Sequence, residues 1–218
     1  MLFRSLNKKA NVYLQKQAFS QHFSADGRDI SLDAELKKNP RLHFVEAELD
    51  LSTLPPAQTS TGNSTARTNT GAETDQPVPT SKLHLYNCNA RTCPYPVHSY
   101  GLTKVVNGQR VPDDFKHEQY LLVEEKDQRV LFSGCSHKGI LNIMGWFKPD
   151  VLLGGFHFMK LDPATADSKR LEEAAKILAG YHCQYYTCHC TGQAQFDFLH
   201  KYLGSQLHYA AAGQIIKL

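Results

Sequence analysis

Short apolar runs alternate with apolar residues at helical spacing through the second half of this 218-residue chain. Val130-Leu131-Phe132 is brief and soon followed by Gly134, which predicts a buried strand. Apolar residues at 140, 143, 144 and 147 predict a helix that Pro149 stops. Ser133-Gly134-Cys135-Ser136-His137-Lys138-Gly139 between them is then a strand-to-helix turn. Such turns bring side chains and free helix N–H groups to the mouth of an α/β site. Val151-Leu152-Leu153 predicts another buried strand, ending in Gly154-Gly155-Phe156-His157. A helix capped by Thr165 or Asp167 runs to Ala179, with Leu171, Ala175 and Leu178 on one face. A strand over 181–189 ends in His189, and Thr191 caps a helix through Leu203. Residues 206–209 and 214–217 are expected as the last strands.

The first half is less regular. The pattern predicts a strand over 11–14, a short helix over 16–23, and one strand over 41–51, with a bulge where the alternation slips at Phe44-Val45. His43 falls on the polar face of that strand. From 52 to 82 large apolar residues almost vanish, so the segment buries too little surface to offset its ordering entropy. It reads as a mobile insertion in a hairpin whose flanks are 41–51 and 83–86, within a single domain spanning 1–218. Residues 120–123 and 130–132 form a second hairpin that feeds the Cys135–His137 turn.

Composition changes this picture little. The chain is 41% apolar and 21% charged, as a globular protein should be. A net charge of +3 with no basic run argues against a nucleic-acid partner. No stretch has the length of a membrane span, and 1–9 lack the apolar core of a signal peptide, which together favour the cytoplasm. The six Cys are then expected as thiols rather than disulfides.

The eleven His are the main chemical clue. Three predicted strands in succession end in or lead to His137, His157 and His189, and in open α/β sheets ligands bind beyond the carboxyl ends of strands. Neutral imidazole is the commonest side-chain metal ligand, so a metal or phosphate site is expected. Asp113, Asp114, His117 and Glu118 read equally well as site groups or as a solvated loop before a strand. Cys88, Cys93, Cys188 and Cys190 have spacings compatible with a separate structural zinc. His200 and His208 read as structural or exposed.

Ser133-Gly134-Cys135-Ser136-His137-Lys138-Gly139-Ile140, Gly154-Gly155-Phe156-His157 and Thr187-Cys188-His189-Cys190-Thr191-Gly192 resemble, in order and rough spacing, a branch of the metallo-β-lactamase fold superfamily. Asp113-Asp114-Phe115 and His117-Glu118-Gln119 also fit. Members of that branch are similar to the dihydropterin-linked ribofuranosyl-aminobenzene 5′-phosphate synthase. The resemblance covers most of the chain outside 52–82. It implies an α/β fold, the αββα sandwich, with a metal site at one edge that is often dinuclear. It implies a metal-dependent hydrolase acting on a phosphate ester or related small molecule. By motif, His137 and His189 carry over as metal ligands, while Cys135 and His157 carry over as groups that back the metal or touch the substrate. The divalent metal expected is zinc, with iron or manganese as alternatives.

The superfamily's principal metal motif, His-x-His-x-Asp-His, matches no window of this chain. In the family it lies just upstream of a segment like 5–14. The expectation is therefore an N-terminally incomplete fold, with impaired metal binding by this chain alone and self-association through an exposed sheet edge. The alternative is a non-catalytic scaffold or binding relative that has lost the motif.

Overall fold

The computed structural model describes residues 10–54 and 81–217. Its first part holds β1 (Val12–Gln15), β2 (His22–Phe23) and β3 (Leu42–Val45). The helix expected over 16–23 is a single 3-10 turn, Lys16–Phe19, with no buried residue. Nothing anchors it as a longer helix, and the chain turns into β2 instead. β1 and β3 pair in parallel, Val12 against Leu42.

The single strand expected over 41–51 is two strands in different sheets. β3 ends at Val45, and β4 (Leu49–Asp50) pairs antiparallel with β5 (Lys82–Tyr86), Leu49 against Leu85. Between them Asn87 Nδ2 donates to the carbonyls of Glu46 and Ala47 at 2.9 and 3.1 Å, which takes that backbone out of either ladder. The flanks expected for the 52–82 insertion are thus present as β4 and β5. Most of the insertion, 55–80, lies outside the described residues.

β6 (Thr103–Val106) and β7 (Gln109–Pro112) form a hairpin that adds β2 as a third strand, His22 against Lys104. Asn107 and Gly108 both take positive φ, 50° and 77°, the geometry that matches the twist of a tight hairpin. β8 (Tyr120–Glu125) and β9 (Gln128–Ser133) are the expected second hairpin.

From β9 onward the sheet becomes parallel. α1 (Ile140–Phe147), β10 (Val151–Leu153), α2 (Asp167–Ala179), β11 (Gln184–Thr187), α3 (Gln193–Leu203) and β12 (Leu207–Tyr209) follow in turn. The seven-stranded sheet has the order β12-β11-β10-β9-β8-β5-β4. Crossovers of one hand put successive helices on one face, and α2 packs on both α1 and α3. Tyr120, Leu122, Leu131, Leu152 and Tyr185 of the sheet meet Ile143, Met144, Ala175, Leu178 and Leu199 of the helices. Burying each such side chain is worth about 1.5–3 kcal/mol, so this layer carries the fold. Leu121, Phe132, Leu153 and Tyr186 face the other way and are half-buried or exposed. Residues 214–217 form no strand, and no described helix is long and apolar enough to cross a membrane.

Candidate metal centre

Register places the turns of interest side by side. Leu153 pairs with Phe132 on one side and with Tyr186 on the other, so β9, β10 and β11 end level. The segments beginning at Gly134, Gly154 and Cys188 therefore emerge as neighbours. The strand expected to reach His189 stops at Thr187 because Thr187 and Thr191 hydroxyls bond each other and Thr191 Oγ1 accepts the Phe156 N–H at 2.9 Å. Thr191 is consequently not the cap of α3; Gly192 occupies that position. The expected side-chain cap of α2 is likewise absent: its cap position is Ala166, although Thr165 Oγ1 accepts the Asp167 N–H at 3.3 Å.

Glycines at 154 and 155 let the turns touch. A Cβ at 154 would lie 2.2 Å from the Ser133 carbonyl oxygen, and one at 155 would lie 2.4 Å from Cys190 Sγ. The Gly155 N–H donates to the Gly134 carbonyl at 2.8 Å. The 133–139 turn is fixed from below. Glu118 accepts the backbone N–H groups of His137 and Lys138 at 2.7 and 3.1 Å. Ser133 and Ser136 share a 2.7 Å hydroxyl bond, and Lys138 Nζ donates to the Asn87 carbonyl at 2.6 Å.

Four residues expected at the site come together. Cys135 Sγ is 3.5 Å from His189 Nδ1. The His137 ring stacks on Phe115 at 4.6 Å and meets His157 edge-on at 4.4 Å. All four, with Cys190, line one cavity of about 490 Å³ that also carries Arg28 and Lys160. A second cavity of about 290 Å³ also borders His137 and His157 and is lined by Tyr95, Ile140, Phe156 and Ile177.

The donor atoms of Cys135, His189 and Cys190 lie within 4.8 Å of one another. This nitrogen and sulfur set suits zinc or iron rather than a hard cation. The sequence pattern puts Cys190 in a separate structural zinc set with Cys88, Cys93 and Cys188; the structure puts it beside Cys135 and His189 instead. His189 takes φ 51°, and this left-handed kink opens the short turn His189–Thr191. In a strand the side chains of 189 and 190 would point apart; here their donor atoms converge. His137 stands outside this three-donor group. Its Nδ1 is 3.3 Å from Glu118 Oε1. Burial works against its charge, but hydrogen bonds to Cys135 and Glu118 more than offset that and raise it to about 9. Hydrogen bonds from Cys190, His137 and His189 hold the Cys135 thiol far below the usual thiol range, against burial. His157 is the opposite case. Burial, helped by the His137 charge, pushes it down to about 4, and neither ring nitrogen has a hydrogen-bond partner.

Asp113, His117 and Glu118 do not form a solvated loop: Asp113 and Glu118 are buried, and His117 is half-buried. Asp114 is exposed and pairs with Lys104 at 2.6 Å. Cys88, Cys93, Cys188 and Cys190 form no common donor group among the described residues. His43 and His200 are exposed, as expected, and His208 bonds Gln184 at 2.8 Å.

No family model matches the chain. A 128-residue stretch, 54% of the chain, is 33% identical to the 7,8-dihydropterin-6-methyl-4-(beta-D-ribofuranosyl)-aminobenzene-5'-phosphate synthase of Methanocaldococcus jannaschii. The match spans only 41% of that relative's length. Among solved structures, the crystal structure of Tm1679, a metal-dependent hydrolase of the beta-lactamase superfamily, aligns with a TM-score of 0.65 at 24% identity. The alignment covers 95% of this chain and 71% of that one.

Proposed function

We propose that this chain, which has the fold of the metallo-β-lactamase superfamily, is a divalent-metal-dependent hydrolase acting on a phosphate ester or related small molecule. The observation that carries the reading is the convergence of Cys135, His189 and Cys190 on the wall of a cavity that also presents Arg28 and Lys160. Three protein donors leave an open position, the arrangement of catalytic rather than structural zinc. A metal of that class bound there would supply Lewis acidity toward a phosphoryl oxygen and lower the pKa of a coordinated water.

The chain's own residues divide the remaining work. The Cys135 sulfur already carries negative charge, so it needs no base to become a donor. His137, as the imidazolium, faces an anionic substrate with a positive charge; it becomes a donor itself only after losing that proton. Arg28 and Lys160 outnumber Asp26 on the cavity wall, and a positive balance raises the local concentration of anions. His157 stays neutral at pH 7 and offers nitrogens that nothing else in the described residues uses.

The test is metal content together with hydrolysis of phosphomonoesters and phosphodiesters, on the parent and on His189→Ala and Cys135→Ser. Bound zinc or iron that supports turnover in the parent, with metal and turnover both lost in the variants, is the expected result. Metal bound without any turnover would replace the enzyme with a binding relative. Metal retained in both variants would overturn the site.

A further inference from the structure

A second donor cluster lies across Phe115 from the Cys135–His189 site and takes no part in it. We infer that His22, Asp113 and His117 form a separate binding site for a divalent cation of the zinc class. His22 Nδ1, an Asp113 carboxylate oxygen and a His117 ring nitrogen all lie within 4.8 Å of one another. His22 and Asp113 are 6% and 7% exposed.

The hydrogen bonds around His22 leave a gap that needs a positive centre. His22 Nε2 lies 3.2 Å from the Gln17 carbonyl, which only accepts, so Nε2 carries a hydrogen. Nδ1 of a neutral ring is then a bare lone pair, and it faces Asp113 Oδ2 at 2.7 Å. Two acceptors do not approach so closely without a proton or a metal between them. A proton settles that one contact. It leaves His117 Nδ1 buried, without a hydrogen-bond partner, 3.8 Å from Asp113 Oδ1. A buried ring nitrogen left unpaired is costly. A divalent cation serves both gaps at once.

The distances favour this reading. Ligands bonded to one tetrahedral cation at about 2.0–2.1 Å sit about 3.3 Å from each other. The His22–Asp113 gap of 2.7 Å would widen, and the His117–Asp113 gap of 3.8 Å would narrow, each by about half an ångström to reach about 3.3 Å. The Nε2–H bond from His22 to a backbone carbonyl is the backing that orients metal-binding imidazoles. The neighbouring cation, Lys104, does not oppose the metal, because Asp114 pairs with it at 2.6 Å.

Rigid elements hold the three donors. His22 lies on β2, paired with β6, and its N–H donates to Ser31 Oγ at 2.9 Å. The Asp113 N–H donates to the Leu102 carbonyl at 3.1 Å, and Asp113 Oδ1 accepts the Phe115 N–H at 2.8 Å. A cation here would pin the small β2–β6–β7 sheet to the loop that carries Glu118, which in turn fixes the Cys135–His137 turn. The role is structural support of the neighbouring site.

Cobalt distinguishes the two sites, because thiolate ligands add an intense charge-transfer absorption that nitrogen and oxygen ligands do not. The experiment titrates cobalt into chelator-stripped protein carrying Cys135→Ser and Cys190→Ser. The expected result is about one equivalent bound with no thiolate absorption, and binding at least about tenfold weaker once His117→Gln or His22→Gln is added. Should the added substitutions prevent folding, the cysteine variant alone decides: its thermal midpoint rises with zinc if the site exists. No cobalt binding and no zinc-dependent rise in the cysteine variant, or equal binding after His117→Gln, would overturn the inference. The thiolate absorption of the parent reports independently on the proposed catalytic site.

Discussion

Glu118 Oε1 accepts the backbone N–H of His137 at 2.7 Å, so a buried carboxylate two residues before β8 sets the conformation of the turn after β9. The other oxygen takes the Lys138 N–H at 3.1 Å and the Tyr120 hydroxyl at 2.5 Å. Burial alone would raise Glu118, but hydrogen bonds from His137 and Tyr120 hold it below the ordinary carboxylate range. Glu118→Ala strands two N–H groups and a hydroxyl, and breaking such a buried arrangement costs about 3–5 kcal/mol. Glu118→Gln keeps an acceptor and should cost about 1–2 kcal/mol. Urea unfolding of both variants checks the ranking. Equal and small losses would mean that water replaces the carboxylate and the turn holds itself.

Gly154 and Gly155 should behave differently despite being adjacent. Alanine at 154 places a methyl 2.2 Å from the backbone oxygen of Ser133, which only a shift between β9 and β10 relieves. A loss of at least about 2 kcal/mol is expected in thermal or urea unfolding. Alanine at 155 meets Cys190 Sγ at 2.4 Å, the end of a side chain that rotates away. Gly155→Ala should therefore keep most of its stability and lose metal affinity. Metal affinity unchanged in Gly155→Ala would remove Cys190 from the donor set.

Which parts of this were legible depended on how local the cause was. The 133–140 turn is written in its own residues: a short apolar run, glycines, and apolar positions at helical spacing beyond them. The Asn107-Gly108 hairpin was equally local, and its signal was there to read. The division of 41–51 into β3 and β4 was not, because the change of sheet depends on Asn87, which holds the Glu46 and Ala47 carbonyls from about 40 residues away. His22 gave no sign of a role in its own neighbourhood either. Its partner Asp113 lies 91 positions on, brought to it by strand pairing that apolar alternation does not encode. Asp113 and Glu118 look like loop carboxylates until those contacts bury them. Cys190 was hidden by a single left-handed residue, His189.

His157 spends stability that a substitution should recover. Both ring nitrogens are buried without partners, the residue holds φ 56°, and burial pushes it down to about 4, so it is neutral at pH 7. Tyr100, Phe115 and His137 surround it with ring contacts. Phenylalanine fits that environment and carries no unmet polar atom. His157→Phe should unfold at equal or higher temperature, with a gain of about 1 kcal/mol. Hydrolysis should fall by about 10²-fold if the ring exchanges a proton with the substrate. A clear loss of stability would show that His157 has a partner in solution, and the reading of its nitrogens as free for substrate would fail.

Thiol reactivity gives the sharpest contrast among the cysteines. Burial pushes Cys88 up to about 11 and Cys183 up to about 12. Cys135 lies on the other side of the usual value, held down chiefly by its hydrogen bond from Cys190 and by the imidazoles of His137 and His189. The thiolate is the species that alkylates. In metal-free protein at pH 7, iodoacetamide should label Cys135 and the exposed Cys93 first, and leave Cys88 and Cys183 unmodified until the chain unfolds. The sign of the pH dependence follows from the same shifts. Below its pKa a thiol gains about tenfold in thiolate per pH unit, so moving from pH 7 to 9 should accelerate any residual labelling of Cys88 and Cys183 about a hundredfold. Cys135, already ionised, should show almost no change. Zinc or cobalt should protect Cys135 and leave Cys93 exposed to the reagent. Peptide mass mapping over a time course reads all of this at once. Labelling of Cys135 that climbs with pH like an ordinary thiol would mean that the imidazoles do not hold its charge, and the proposed donor set would lose its anionic member.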